Sequence, residues 1–261
     1  MWADPAAVVT IERTRKRRKG VPMLSEDEIS RVLAVTAHPD DVDFAAAGSI
    51  ALFTERGVEV TYCVVTDGDA GGFDRELDNG GMAELRRAEQ SGAAKAVGVT
   101  DVRYLGYHDG TVVQSLELRR DITRVIRQVK PDLVITHSPE RNHRFIAPSH
   151  PDHRAVGGCA LDAVYPDARN PYAFPSLLLD EGLEAWTVRE VWLNGGPATD
   201  HHVDITDTFD RKLAALRAHV SQVGHLEDFE GFLRDRFSQR AVEAGFGEGR
   251  YVESFQRVPT A

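Results

Sequence analysis

Short apolar runs alternate with longer segments of helical periodicity through about the first 165 residues of the chain. Strands are predicted at 31–37, 59–66, 102–104 and 133–136, with helices at about 44–56, 82–97 and 116–129 and another that begins near Asp152. Strands joined through helices run parallel in one sheet, and its ligand crevice lies beyond their carboxyl ends. The sequence therefore predicts an α/β fold, Rossmann-like and doubly wound, with a mainly parallel sheet flanked by helices. His38 and His137 should point into the crevice.

The rest of the chain is less regular. Short strands are predicted at 190–193 and 202–205, and amphipathic helices at about 206–220 and 226–244. A chain of 261 residues, 42% of them hydrophobic, can bury one core of this size. We predict a single domain at 29–261 after a flexible flank at 1–28, in which six of the seven positions 13–19 are basic.

Composition disfavours several kinds of partner and location. A formal net charge of −10 disfavours nucleic acid as a partner. No apolar stretch reaches the roughly 18–20 residues of a membrane span. Cys63 and Cys159 have neither metal nor disulfide spacing, which indicates free buried thiols and a cytoplasmic location.

The segment Ala37-His38-Pro39-Asp40-Asp41 stands where the first strand should end. From a tight turn, His38 and Asp41 can both reach one cation, while Pro39 restricts the backbone and Asp40 can point elsewhere. The alternative interpretation is that Asp40 or Asp41 only caps the helix that follows.

A second segment, His150-Pro151-Asp152-His153, closes a long loop and opens a helix in the same pattern. One histidine can bind a metal while the other faces a substrate, and Asp152 can tune an imidazole. A capped helix with surface histidines is the alternative. Two such turns at the same edge of a sheet favour a metal centre over two helix caps.

A catalytic zinc ion usually takes three nitrogen or oxygen ligands from the protein and leaves one position for water. His38, Asp41 and one histidine of the second turn would supply these ligands. Hydrolysis of an amide also needs a carboxylate to accept the proton of water and a donor to stabilise the oxyanion. Asp40 and His150 are the candidates for these two roles.

In these two turns the chain resembles the LmbE/PIG-L family of zinc-dependent N-deacetylases, from about Arg31 onward. The resemblance implies three ligands to zinc, or to another divalent cation: His38, Asp41 and His153. It also implies that Asp40 is the general base, that His150 polarises the carbonyl or protonates the leaving amine, and that Asp152 orients His150. The implied substrate is a small N-acylated amino sugar or glycoconjugate, and many members form homo-oligomers.

The chain departs from the family pattern at two positions. Many members have Glu after the paired aspartates, whereas this chain has Val42 followed by Asp43. Some members have Tyr two residues before the first histidine of the second turn, where this chain has Pro148. His150 would then act with a different helper.

Five further residues are predicted to contact the substrate: Asp67, Asp69, Arg86, Asp109 and Arg141. Asp67 and Asp69 belong to a Gly/Asp-rich loop that resembles the family's substrate-side loop, although such clusters also form ordinary turns. Arg86 lies on an Ala-rich helix, where a solvated face is the alternative. Asp109 precedes a glycine, as does the family's sugar-hydroxyl contact. Arg141 begins a donor-rich loop suited to an anionic or hydroxyl-rich ligand, where a solvated loop is the alternative. His219, alone on a late helix, is interpreted as a surface or packing residue.

We predict metal-dependent hydrolysis of an N-acyl group, above all N-acetyl, on an amino sugar or glucosamine-containing conjugate. The alternatives within the hydrolases are an amidase of a thiol-sugar conjugate and a natural-product tailoring deacylase. A non-catalytic α/β ligand-binding module is the alternative from another class, but such a module has no need for two His/Asp turns at the strand ends.

Overall fold

The computed structural model describes residues 23–73 and 76–260, and this part of the chain contains a seven-stranded sheet. The strands are β1 (Arg31–Thr36), β2 (Glu59–Thr66), β3 (Asp101–Tyr107), β4 (Leu133–His137), β5 (Glu190–Asn194), β6 (His201–Asp204) and β7 (Val252–Pro259). Their order across the sheet is β3-β2-β1-β4-β5-β7-β6. The first five are parallel, and β7 runs antiparallel to both β5 and β6. The predicted α/β class with a mainly parallel sheet is confirmed.

Helices connect the strands and cover the sheet. They are α1 (Asp41–Glu55), α2 (Asn79–Ala96), α3 (Leu116–Val129), α4 (Pro151–Asp162), α5 (Pro175–Leu179), α6 (Phe209–Arg217), α7 (Val220–Val223) and α8 (Phe229–Glu243). Short 3₁₀ turns lie at Glu26–Glu28, Ala147–Ser149 and Thr206–Thr208, and a π-helical segment, Ala163–Ala168, follows α4. Side-chain caps start two of the longer helices, since Asp78 accepts a hydrogen bond from the Gly81 N–H and Ser115 from the Leu118 N–H.

Both faces of the sheet are buried. In β1, Val32 and Ala34 pack in the cluster that includes residues of α1, α2, α6 and α8. Leu33 and Val35 pack in the cluster that includes residues of α3 and α4. A strand buried on both faces reads as a continuous apolar run, which is why β1 and β2 can be located from the sequence.

The structure differs from the sequence prediction in the last third and at the N-terminal boundary. β7 was not predicted, and the predicted helix at 206–220 is divided into a 3₁₀ turn, α6 and α7. Leu24 is buried and its N–H donates to Glu190 Oε2 at 2.9 Å, so the folded unit starts several residues before 29. The basic run at 13–19 lies outside the described residues. Among the described helices, none is long and apolar enough to cross a membrane.

Candidate metal centre

The first turn joins β1 to α1 in a backbone conformation that a side chain rarely adopts. Asp40 has φ 94° and ψ −28°, in the left-handed region that disfavours residues with a Cβ. Its N–H donates to Gln90 Oε1 at 2.8 Å, and Arg86 Nη2 donates to the Pro39 carbonyl at 2.6 Å. Two side chains of α2 therefore hold the turn in this conformation.

Donor atoms of three side chains from the two turns converge. His38 Nδ1 lies 3.2 Å from Asp41 Oδ2 and 3.2 Å from His153 Nε2, and His153 Nε2 lies 3.0 Å from Asp41 Oδ1. Ligands placed tetrahedrally at zinc distances are separated from one another by about 3.3 Å. His38, Asp41 and His153 thus fit the ligand set of a divalent cation.

The second ring nitrogen of His38 and of His153 has a partner of its own. His153 Nδ1 lies 3.1 Å from the Pro148 carbonyl oxygen. His38 Nε2 lies 3.0 Å from Asp109 Oδ1 and 3.4 Å from Asp152 Oδ2. An acceptor at one ring nitrogen fixes the tautomer and leaves the lone pair of the other nitrogen for the metal.

His137, at the end of β4, also lies in the crevice, as the sequence predicts. Its Nε2 is 3.3 Å from Asp41 Oδ2, and its ring stacks on His153 with the centroids 4.1 Å apart. Asp41, His137 and His153 are close enough to form an alternative ligand set. However, His137 Nε2 already lies 3.1 Å from the Ala37 N–H, which occupies the lone pair that a metal would need. Burial, reinforced by the neighbouring His153, lowers the pKa of His137 to about 4, so the ring is neutral.

A glycine sets the spacing between α4 and β4. A Cβ on Gly157 would lie 2.2 Å from the His137 carbonyl oxygen, so only glycine allows the helix to approach the strand this closely. The close approach brings His153 against His137.

The Asp40 carboxylate, next to Asp41 in the chain, contacts Arg86. Asp40 Oδ2 accepts from Arg86 Nη2 at 3.1 Å. Burial raises the pKa of Asp40 to about 7, against the opposing charge of Arg86. Burial also opposes ionisation of Asp41, but the charges of His153 and His38 outweigh it and hold the Asp41 pKa well below its usual range. The pKa of Asp40 is therefore raised and that of Asp41 is lowered, as expected for a general base and a metal ligand.

Buried polar residues behind the first turn form a network that the sequence prediction missed. Gln90 Nε2 donates to Asp43 Oδ2 at 2.8 Å, and His219 Nε2 lies 2.8 Å from the same oxygen. Asp43 and His219 have no exposed side-chain surface, so His219 is a partner of the first turn rather than an isolated packing residue. A buried histidine needs a polar partner, and Asp43, one residue after the position where many family members have Glu, supplies it.

The second turn leaves His150 half-buried beside the donor atoms. Its Nδ1 accepts from the Asp152 backbone N–H at 3.3 Å, which leaves Nε2 as the proton-bearing nitrogen. Its ring meets that of His38 edge-on, with the centroids 5.0 Å apart. Burial and the charges of His38 and His153 lower the pKa of His150.

The Asp152 carboxylate does not make the contact with His150 that the resemblance implies. It is buried, accepts from the Gly110 N–H at 2.7 Å and contacts His38 Nε2. Asp152 therefore orients the ligand His38 in this geometry. The rigid start of α4 explains the difference, because it directs the Asp152 side chain inward and presents only its N–H to His150.

The five predicted substrate contacts separate into two groups. Arg86 and Asp109 reach the centre, and Asp69 supports Asp109 by accepting from its N–H at 2.9 Å. Asp67 pairs with Arg87 Nη2 at 2.6 Å instead. Arg141 is exposed and, within 23–73 and 76–260, forms no hydrogen bond or ion pair.

Residues 33–164 match the PIG-L family, described as GlcNAc-PI de-N-acetylase. The chain belongs to the PIG-L family. It is 29% identical over 235 residues to a diacetylchitobiose deacetylase of Thermococcus kodakarensis, covering 89% of this chain and 85% of the relative. It is 34% identical over 213 residues to a probable N-acetyl-alpha-D-glucosaminyl L-malate deacetylase 2 of Bacillus cereus, covering 78% and 90%.

A solved structure agrees with this assignment. The N,N'-diacetylchitobiose deacetylase of Pyrococcus horikoshii superposes with a TM-score of 0.81 at 33% identity, covering 89% of this chain and 85% of that chain. The family match and these relatives confirm the predicted class of enzyme, a hydrolase that removes N-acetyl groups from amino-sugar conjugates.

Proposed function

We propose that the protein is a zinc-dependent N-deacetylase that acts on an N-acetylglucosamine-containing conjugate. The observation that carries the proposal is that donor atoms of His38, Asp41 and His153 lie 3.0–3.2 Å apart, with the Asp40 carboxylate next to Asp41 in the chain and held by Arg86. Two nitrogen donors and one carboxylate oxygen are a set that zinc favours, although availability lets another divalent cation compete.

Asp40 and His150 do not belong to the proposed ligand set, so they are available for proton transfer and for stabilising the oxyanion. A divalent cation in this set would acidify water and polarise the acyl carbonyl. Asp40 accepts the proton of the water that adds to the carbonyl carbon. His150 directs its Nε2–H to the oxyanion, and the proton that Asp40 has accepted passes to the nitrogen as the C–N bond breaks, so the products are acetate and a free amine.

Several residues keep these groups in place. Arg86 bridges the Pro39 carbonyl and the Asp40 carboxylate, which fixes the direction of the base. Asp109 and Asp152 hold the His38 ring. For location, the buried free thiols of Cys63 and Cys159 support a reducing compartment such as the cytoplasm.

The test is release of primary amine from diacetylchitobiose and from other N-acetylglucosamine conjugates, including thiol conjugates, by purified protein. Activity should disappear with a chelator and return with stoichiometric zinc. Asp40→Asn should be inactive in the same assay, while Asp101→Asn, a carboxylate change at the start of β3 away from the centre, should match the wild type. Amine release that persists after complete metal removal would contradict the proposal.

A further inference from the structure

A cavity of about 320 Å³ opens beside the metal centre. Asp41 and His153 form part of its wall, and Phe232, Arg236 and Arg240 line it from α8. A second cavity of about 350 Å³ shares both arginines, and Ser254 lines both cavities. Together they give more room than an acetyl group occupies and fall within the size range of small-molecule sites.

Arg236 and Arg240 lie one turn apart on α8, and neither guanidinium group forms a hydrogen bond or ion pair with any residue the structure describes. Their contacts are with aromatic rings: the Arg236 guanidinium lies 5.3 Å from the Phe145 centroid, and that of Arg240 lies 5.0 Å from the Phe237 centroid. Arg234 of the same helix, in contrast, pairs with Glu230 and Asp210. The two cavity arginines therefore keep their donors available.

Partial burial makes the positive charges of Arg236 and Arg240 energetically unfavourable. Burial lowers the pKa of both guanidinium groups, that of Arg240 to about 10 with a contribution from Arg236. Glu243 and Glu253 offset part of this repulsion. Glu243 also accepts from Gln239, and Glu253 is paired with Lys212 inside the core. Two partly desolvated like charges without an acceptor favour an anion that binds both.

We propose that this cavity binds an oxyanion, a carboxylate or a phosphate, on the part of the substrate that is attached to the N-acetylated amino sugar. The inference rests on the proposed deacetylase function, because the metal ligands Asp41 and His153 place the cavity next to the reacting amide. A guanidinium group can donate two parallel hydrogen bonds, which match the spacing of two oxygens of a carboxylate or a phosphate. Arg144, from the donor-rich loop before the second turn, lines the outer opening with the same two arginines.

The aromatic wall admits a competing occupant, a long acyl chain. An alkyl chain would fill the space beside Phe145, Phe232 and Phe237 but would leave both guanidinium groups without an acceptor. Burial of unpaired charge against hydrocarbon is strongly unfavourable, so the geometry favours the oxyanion.

The test compares kcat/KM for three probes: N-acetylglucosaminyl malate, N-acetylglucosamine 1-phosphate and neutral diacetylchitobiose. The wild type should prefer one anionic probe to the neutral one, and that probe identifies the oxyanion. In Arg236→Gln/Arg240→Gln the ratio of anionic to neutral kcat/KM should fall about 10-fold to 100-fold, as expected for loss of charge-assisted hydrogen bonds. The control Arg217→Gln/Arg250→Gln removes two exposed, paired arginines and should leave the ratio unchanged.

The outcomes separate this inference from the proposed function. Neutral and anionic probes that decline equally in the Arg236/Arg240 double variant would overturn the oxyanion site while leaving the deacetylase proposal intact. A wild-type preference for longer N-acyl groups that grows in the double variant would also overturn it and assign the cavity to the acyl chain. Absence of activity on every probe, in metal-loaded wild type, would instead reject the proposed function. Thermal melting of each variant shows that it is folded.

Discussion

The two His-Pro-Asp turns share a sequence pattern but are held very differently. Around the first turn, α2 supplies Arg86 to the Pro39 carbonyl and Gln90 to the Asp40 N–H, and Asp43 pairs with His219 behind it. In the second turn, His153 is fixed by Pro148 and Asp41, whereas one bond from the Asp152 N–H holds the half-buried His150. The comparison shows that the first turn and His153 are held by several contacts each, whereas His150 is held by fewer and has more freedom to adjust.

The largest loss of activity should follow substitution of the histidines through which the two turns bind one zinc ion. His38→Ala or His153→Ala removes one of three ligands, so each variant should lose its zinc and at least about 10⁴-fold in kcat/KM. Wild-type protein should carry about one zinc per chain, measured by elemental analysis, whereas both variants should carry almost none. His137→Ala is the matched control, because its Nε2 faces the Ala37 N–H, and it should retain most of the metal. Full zinc occupancy in His38→Ala and His153→Ala would refute the ligand assignment.

The second-largest effect is expected at the paired aspartates, for which we propose different roles. Asp40→Asn keeps the ligand set and removes the group that accepts the proton of water, so zinc should remain while kcat falls about 10²–10⁴-fold. Asp41→Asn should instead lose metal. If Asp40→Asn loses zinc and Asp41→Asn keeps it, the two roles are exchanged. Near-normal turnover of metal-loaded Asp40→Asn would remove this residue from the mechanism.

These assignments also show what sequence alone could supply. β2 and α3 were located correctly, because buried parallel strands are continuous apolar runs and α3 has a strong helical period ended before Pro131. The two turns could be found because adjacent His, Pro and Asp residues form a local pattern.

The features that could not be predicted depend on contacts between residues that are far apart in the sequence. Gln90 and Asp40 are 50 positions apart, and His219 and Asp43 are 176 apart, so no local pattern joins them. β7 was missed because polar residues interrupt its apolar pattern, and one of them, Glu253, is buried with its charge paired to Lys212 and its oxygens bonded to Gly48 and Ser49. Arg236 and Arg240 resemble any exposed helical charges until the cavity is seen.

The second turn should tolerate change at His150 better than at His153. His150→Ala should retain zinc and lower kcat about 10²–10³-fold, more than it raises KM, because a donor to the developing oxyanion acts in the transition state. His150→Gln, which restores an N–H donor, should recover part of this loss. Zinc loss in His150→Ala would mean that His150 is the ligand and that His153 faces the substrate. An equal change in kcat for His150→Ala and His150→Gln would favour proton delivery over hydrogen bonding.

The smallest expected effect tests whether α2 holds the first turn in its strained conformation. Gln90→Met keeps the side-chain volume but removes the acceptor for the Asp40 N–H and the donor to Asp43. Without that acceptor, the left-handed conformation at Asp40 loses a contact that offsets its strain, and the carboxylate should deviate from its position.

We therefore expect Gln90→Met to retain zinc and to lose about 10-fold in kcat with little change in KM, the size of effect seen when an outer contact is removed. The buried polar atoms left without partners should also lower the free energy of unfolding by about 1–3 kcal/mol. Gln90→Glu restores an acceptor to the Asp40 N–H and should recover part of kcat, although it faces Asp43. Gln222→Met makes the same chemical change near Gly71, outside the turn, and should alter kcat less than about 2-fold. A stability loss with unchanged kcat would show that Asp40 keeps its conformation without Gln90 and that the two turns differ less than their contacts indicate.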